Sequence, residues 1–450
     1  MPALAAEPDR VAVRALATLT LFTVLAGQFW RNLLGWWGFG TIVILVAIAA
    51  GVALIRLRPG WAWRSFPTSL VVFLGLATVS ILWSFYPLAS LAGVAAQWVT
   101  ALGGVFLAAC LSWAELLRAL GAALRWVLGL SLLFELIVAV VVRHPVLPFW
   151  VDYGSEKVPQ AFYWSRALLL HGGPIEGIVA SRNLLGFFAL LAVIVFAVQL
   201  AAGTVKRGWG IGWLVFALVM MVLTRSATVT VAAIAVAVAF LFAVWARRRG
   251  EAGRRPVYLV AAASVVAVIG GVTLAAPWLL SLFGKSEDLT GRLDIWSSVI
   301  RLAGERPVFG WGWVSYWAPW TEPFKGLAVR KGVEYLQAHD AWLDVWLQLG
   351  VVGVVAFAAL ALSTLWRAWF LAVDRPVALV TLSDPPRLRS TTGYRHLPHP
   401  ASSLLPLLLM VALLAQSLAE SRLLIEYGWL LLVLFAVATK RQQRTMADLP

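Results

Sequence analysis

His339-Asp340 opens the segment AHDAWLDVWLQLGVVGVV, which leads directly into a long apolar stretch. Leu343, Trp346, Leu347 and Leu349 recur there at helical spacing, so His339 is predicted at or near a helix N-terminus. That position disfavours an imidazolium and helps keep the ring neutral, as a general base requires, while Asp340 and Asp344 act in the opposite sense. The alternative is a histidine that merely hydrogen-bonds. Upstream, Thr290-Gly291-Arg292-Leu293-Asp294-Ile295-Trp296 predicts a helix capped by Thr290, with Leu293, Trp296, Ile300 and Ala303 on one apolar face. Arg292 would fall in its first turn, where the dipole does not favour a cation; it either pairs with Asp294 or a lipid headgroup, or has a function. Pro307, Gly310 and Gly312 form P-x-x-G-x-G among Trp311, Trp313 and Trp317, which permits a tight turn or the close approach of a chain or ligand. Arg225, in Thr224-Arg225-Ser226, sits in a tight turn between two apolar runs and is functional, paired or snorkelling to a headgroup. Ser181-Arg182-Asn183 stands just before another run, as a polar pair for binding or as a positioned loop end. Glu135, inside an apolar run, faces a cavity or a partner arginine.

The elements that must position these groups are membrane helices. Of 450 residues, 61% are apolar and only 13% charged, against about 45–50% and 25% in soluble domains. This excludes a soluble enzyme, a disordered chain and a fibrous one. Twelve apolar runs lie between about residues 14 and 439, each close to or slightly short of the roughly 17–25 residues a spanning helix needs. The fold class is therefore an all-α polytopic membrane protein of about 12 transmembrane helices, with a large extracytoplasmic loop containing short helices. With the N-terminus inside, 22 of the 36 Lys and Arg fall on cytoplasmic segments, and the short outside loops hold only Arg31, Arg225 and Arg422. Both termini are expected in the cytoplasm and the chain in the plasma membrane. The organisation reads as helices 1–5 over residues 1–142, a first long outside loop 143–183, helices 6–9 over 184–280, a large outside loop 281–349, and helices 10–12 over 350–450. Outside loops this long are usually functional or disordered, and their Trp, Gly and Pro content argues for order. The inside stretch 373–402 reads as a flexible linker, with His396 and His399 solvated.

A net charge of +15 is read through topology rather than as a nucleic-acid signal, and no nucleic-acid partner is expected. The single Cys110 excludes an intramolecular disulfide and a multi-cysteine metal site. Glu287-Asp288 is the only adjacent acidic pair outside, so no divalent-metal site is indicated, and no P-loop, G-x-S-x-G or H-E-x-x-H occurs. No cofactor is expected. Residues 1–14 are polar, and the first apolar run looks like a retained anchor. The 25 tryptophans suit membrane interfaces or sugar stacking equally.

In order, Gly291-Arg292…Trp296, Pro307-x-x-Gly310-x-Gly312, and a His339 leading to Leu349-Gly350-x-x-Gly353 resemble the O-antigen ligase/polymerase superfamily. Asn183-x-x-Gly186 and an Arg beside Ser226 are similar to further motifs of that family, so the resemblance covers about residues 180–360. It implies glycosyl transfer from a polyprenyl-diphosphate-linked glycan. It also implies that Arg225 and Arg292 bind the diphosphate and that His339 activates the acceptor hydroxyl, with Arg182, Asn183, Asp340, Trp296, Gly310 and Gly312 around the substrates. Two departures stand out: Asp340 follows the His where the family more often has Asn, and Arg225-Ser226 reverses a common Ser-Arg.

The chemistry is consistent with elementary physics. A diphosphate leaving group accumulates negative charge, which guanidinium groups bind bidentately without a metal. A lipid tail requires a site open sideways to the bilayer, rimmed by the 292–303 segment, and tryptophans 311, 313, 317, 320 and 342 offer faces for sugars. A transporter or flippase for lipid-linked glycans is the alternative, but it favours ionisable groups at the midplane, where only Glu135 qualifies. A lipid-monophosphate mannosyltransferase would need an acidic residue in the first outside loop, and WRNLLGWW at 30–37 has none. A non-enzymatic membrane subunit leaves the Arg- and His-bearing loops without a role.

Overall fold

A computed structural model describes residues 7–57, 59, 66–151, 158–283, 287–330, 332–382 and 391–447. Arg58, Arg64, Arg387 and Arg389, which entered the charge bias, lie outside these residues. For 7–9, 269, 272, 275–283, 287–291, 330, 377–382, 391–396 and 444–447 the backbone alone is described.

The chain is dominated by helices, in the order α1 (Glu7–Leu25), α2 (Gly27–Leu57), α3 (Thr68–Val79), α4 (Pro87–Cys110), α5 (Trp113–Ile137), α6 (Arg182–Ala201), α7 (Arg207–Thr224), α8 (Ala227–Arg249), α9 (Arg255–Phe283), α10 (Glu287–Glu305), α11 (Ala341–Val373), α12 (Leu405–Ser417) and α13 (Glu426–Ala447). Among the described residues seven helices are long and apolar enough to cross a membrane, and Thr68–Trp83, Arg255–Val268 and Ala401–Ser417 are shorter apolar segments. This is a polytopic membrane protein. α1 and α13 carry the remaining two apolar runs. α1 and α2 are separated by Ala26 alone, and α2 continues through a kink at Gly35, so the expected loop at 30–37 is helical.

Burial follows from how apolar each helix is around its circumference. Helices apolar on every side belong in the centre of a bundle. α6 is such a helix, packed between α5, α7 and α12. So is the first half of α13, where Trp429 through Ala436 are all 0–1% exposed against α4 and α11. Among the described residues, Glu135 near the end of α5 pairs with no arginine. Its buried carboxylate accepts hydrogen bonds from the Glu176 N–H (3.0 Å), the Gly177 N–H (2.7 Å) and the Ser165 hydroxyl (2.9 Å). A buried acceptor so fully used is structural: it pins the first long loop onto α5. In that loop Val146 bridges Ser165, and Trp164 donates from its ring N–H to the Ile178 carbonyl (3.0 Å).

The second long loop has a core of its own. Ile295, Val299, Leu302 and Ala303 of α10 pack with Val314, Trp317, Phe324, Ala338 and Leu347. The buried face of α10 is thus rotated from the expected one, and Ile300 is 47% exposed. The helix starts at Glu287, so Thr290 lies inside it rather than capping it. A two-residue ladder pairs β1 (Val329–Arg330) with β2 (Val333–Glu334). The loop ends at Asp340, because α11 begins at Ala341 and runs through a kink at Gly350.

That kink explains the P-x-x-G-x-G run. Backbone N–H groups of Trp311 and Gly312 donate to the carbonyls of Leu347 and Gln348 (3.0 and 2.9 Å), and those of Val351 and Val352 donate to Pro307 and Val308 (2.8 and 3.2 Å). The break in α11 frees backbone groups, and the 307–312 strand of chain satisfies them. Gly310 (φ 68°) and Gly350 (φ 65°) leave no room for a side chain: a Cβ would stand 2.4 Å from the Gln348 carbon and 2.1 Å from the Val308 oxygen, respectively. Gly350→Ala therefore fails to yield monodisperse protein in detergent, whereas Gly304→Ala in α10, where a Cβ meets nothing within 4 Å, extracts like the parent. Equal yields would remove this account of the kink.

On the other side of the bundle the 373–402 stretch contains structure. β3 (Val377–Leu382) pairs antiparallel with β4 (Thr391–His396), and His399 Nε2 lies 3.0 Å from the Val373 carbonyl oxygen. The linker expectation is corrected to a hairpin tied back to the end of α11; the His396 side chain lies outside the described residues.

Candidate active site

Three helix starts carry the site motifs, and each is capped by the polar residue the sequence supplies. Ser181 caps α6 by accepting from the Leu184 N–H (3.4 Å), Ser226 caps α8 by accepting from the Val229 N–H (3.4 Å), and Asp340 caps α11 by accepting from the Trp342 and Leu343 N–H groups (2.8 and 3.0 Å). The Ser226 hydroxyl also donates to Asn183 Oδ1 (2.8 Å), which joins the starts of α6 and α8. The Asn183 amide donates to Glu420 Oε1 (3.5 Å), on the short connection between α12 and α13.

Glu420 is the centre of the arrangement. His339 Nδ1 lies 2.9 Å from its Oε2, and Arg292 Nη2 lies 3.4 Å from its Oε1. The carboxylate is 7% exposed, the His339 side chain 17% and the Arg292 side chain 21%. Burial alone would raise the Glu420 carboxyl. His339, Arg292 and Arg422 around it outweigh that and hold it at about 2, so it is ionised and can only accept. In the neutral ring His339 Nδ1 is then the donor, and Nε2 keeps the lone pair. His339 itself adopts a left-handed φ of 53°, uncommon for a residue with a side chain, and Tyr335 meets its ring edge-on at 5.5 Å.

The depressed carboxyl has a measurable consequence. A carboxyl lowered on folding stabilises the protein above its ordinary value near 4.5, and this contribution is lost as pH falls toward 2. Between pH 5 and 3 the melting temperature of the detergent-solubilised protein should drop more steeply than that of Glu420→Gln. Parallel curves would show that no such linkage exists.

Beside this centre a second ion cluster ties α2 to α13: Glu426 pairs with Arg31 (2.5 Å) and with Arg422 (3.1 Å), and Arg31 also donates to Gln28. The sequence reading left Glu420 and Glu426 unassigned. The signal was present, since an acidic residue between two apolar runs is costly without a partner, and the chain has only 21 Asp and Glu.

The residues singled out from sequence separate into two groups. His339, Arg292 and Asn183 meet on Glu420. Arg225 sits next to Ser226 at the edge of the same network; it is exposed, in a left-handed conformation (φ 49°), and its side chain makes no hydrogen bond or ion pair among the described residues. Arg182 occupies the first turn of α6 beside Asn183. The others make contacts within the protein. Asp340 is the α11 cap, with burial raising its carboxyl above the ordinary range. Trp296 donates to the Ala338 carbonyl (3.0 Å) and so fastens α10 to the residue before His339. Gly310 and Gly312 lie in the backbone junction at the kink. Trp313 and Trp317 are 0–1% exposed core residues and offer no face to a sugar; Trp320 is 78% exposed. Among the described residues no three His, Cys, Asp or Glu side chains stand together as metal ligands do.

Residues 212–358 match the family model described as O-antigen ligase. The matched stretch contains Arg225, Arg292, both glycine motifs and His339, in agreement with the resemblance of those motifs. Asn183 and Glu420 lie outside it. A search of curated proteins finds no match.

Proposed function

We propose that this member of the O-antigen ligase/polymerase superfamily, matched over residues 212–358, is a membrane glycosyltransferase that moves a glycan from a polyprenyl-diphosphate carrier to an acceptor hydroxyl. The reaction takes place on the extracytoplasmic side of the plasma membrane, with both termini in the cytoplasm. The observation that carries this reading is one buried carboxylate, Glu420, holding a histidine and an arginine side by side at a helix start.

In the proposed reaction the acceptor oxygen attacks the anomeric carbon while its proton passes to His339 Nε2. The bond from that carbon to the diphosphate oxygen breaks, and the electron pair leaves with the diphosphate. Glu420 accepts the Nδ1 proton, fixes the tautomer and stabilises the imidazolium as it forms. Arg292 spends one N–H on Glu420, which leaves other guanidinium donors for phosphate oxygens. Arg225 and Arg182, at the starts of α8 and α6, add cations where helix N-termini already favour an anion. No step requires a metal.

Attack from the face opposite the leaving group inverts the anomeric configuration. NMR of donor and product linkages checks this, and a retained configuration would reject direct displacement. The whole reading is tested with purified protein and polyprenyl-diphosphate glycans, by following glycan product and released diphosphate lipid. Turnover is expected to be unchanged by EDTA; a loss restored by a divalent cation would overturn the metal-free mechanism. The transporter alternative has lost its one midplane candidate, because Glu135 is consumed by backbone N–H groups of the first loop.

A further inference from the structure

Asp344 lies one turn into α11 and is 1% exposed. Its carboxylate has no cation among its hydrogen-bond partners. Oδ1 accepts from the Trp317 ring N–H (2.8 Å); Oδ2 accepts from the Ala338 backbone N–H (3.0 Å) and from the Ser421 hydroxyl. Ala338 is the residue before His339, and Ser421 is the residue after Glu420. A single buried oxygen therefore ties together the two chain segments that carry the paired histidine and carboxylate, each one residue from its functional group. Trp296 fastens α10 to the Ala338 carbonyl, but among the described hydrogen bonds it is Asp344 that spans both segments through one carboxylate oxygen. Residues 336–340 are irregular, His339 is left-handed, and Glu420 sits in the connection between α12 and α13.

Burying a carboxylate is expensive, so an isolated charge at this place is not explained by its own contribution to stability. Local helix stability does not require Asp344 either, since α11 already has its cap in Asp340. Three donors instead converge on Asp344 from three separate segments. We propose that Asp344 is the positioning residue of the site: it holds the Ala338–His339 and Glu420–Ser421 segments in the one register that keeps His339 Nδ1 on the Glu420 carboxylate. The inference rests on the proposed function for its effect on turnover, but its structural part stands without it.

The test uses full-length protein with selectively ¹⁵N-labelled histidine imidazoles, the His339 signals being assigned by their loss in His339→Ala. In the parent, His339 shows one protonated Nδ1 and one unprotonated Nε2. In Asp344→Ala, with extraction and monodispersity unchanged, the two nitrogens are expected to move toward an averaged pair. Turnover is expected to fall about 10–100-fold in kcat with KM for the donor little changed, the size that follows from misplacing a reacting group by about 1 Å.

A pair of variants separates positioning from bulk packing. In Asp344→Asn the amide must either face its NH₂ toward the Trp317 N–H or turn it toward the Ala338 N–H, where only the Ser421 hydroxyl can reorient to accept. Adding Trp317→Phe removes that conflict, so the double variant Asp344→Asn/Trp317→Phe recovers the parent tautomer signature and most of kcat. A purely structural Asp344 predicts the reverse, because the second change enlarges the lesion. If the Asp344→Ala signature and kcat match the parent, or if the double variant is worse than Asp344→Asn alone, the inference is wrong. If His339→Ala itself retains turnover, it is the proposed reaction that fails, and the imidazole signals still decide on Asp344.

Discussion

Alanine at position 339 reduces turnover by about 10²–10⁴-fold, the span general-base catalysis contributes, while the protein still folds and extracts as a monodisperse species. His339 can be removed cheaply because its ring is not a packing element. It is partly exposed, its side chain hydrogen-bonds Glu420 alone among the described residues, and the loop around it is held by Asp344, Trp296 and the α11 cap. The loss should fall on kcat, since the imidazole acts on the acceptor proton in the transition state and adds little to ground-state binding. Arg292→Ala gives the complementary pattern, with a raised KM for the diphosphate donor as well as a lower kcat, because a guanidinium attracts phosphate before and during bond cleavage. Arg292→Lys restores the charge but not the planar fork, so it recovers only part of the activity. Measured on one lipid-linked donor by product formation, the two profiles must differ. Full activity in His339→Ala removes the base from the mechanism. Identical effects of His339→Ala and Arg292→Ala on kcat and KM remove the division of labour.

Much of this arrangement was legible in the sequence where the physics is local. Apolar length marked the helices, and the polar residues just before them marked their starts: Ser181, Ser226 and Asp340 each stand where a cap belongs. The ordered motifs placed His339 and Arg292 in one region, and the family match covers both. What was not legible depends on distant pairing. P-x-x-G-x-G leaves open whether a ligand or another chain approaches, and the close approach of the chain at the Gly350 kink, 40 residues on, leaves no local mark. Tryptophans that suit sugar stacking by type can equally fill a core, and Trp313 and Trp317 do so. Glu135 looked like a midplane functional group because its partners, the Glu176 and Gly177 N–H groups, are backbone and leave no mark in side-chain chemistry. Glu420 lies 81 residues from His339 and 128 from Arg292, beyond the reach of any local pattern.

Glu420→Gln costs as much turnover as removing the histidine, for a reason of proton placement rather than charge alone. The parent carboxylate is ionised and accepts only, so it forces the His339 proton onto Nδ1 and leaves Nε2 to take the acceptor's proton. A glutamine in the same place has one oxygen and one NH₂. The oxygen is contested: the Asn183 amide and Arg292 also require an acceptor there, at 3.5 and 3.4 Å. The arrangement that satisfies those two donors turns the glutamine NH₂ toward Nδ1, which must then carry a lone pair. The proton moves to Nε2, and the nitrogen facing the acceptor can no longer function as a base. The expected result is a loss of about 10²–10⁴-fold in kcat, with donor binding largely kept because Arg292 retains a partner. Glu420→Ala should lose donor affinity too, since Arg292 and Asn183 are then both released. The ¹⁵N shifts of His339 would report the tautomer directly, with a protonated Nε2 in the Gln variant. A fully active Glu420→Gln whose His339 keeps the parent tautomer would mean that the carboxylate only braces the fold, and that the base is oriented by some other group.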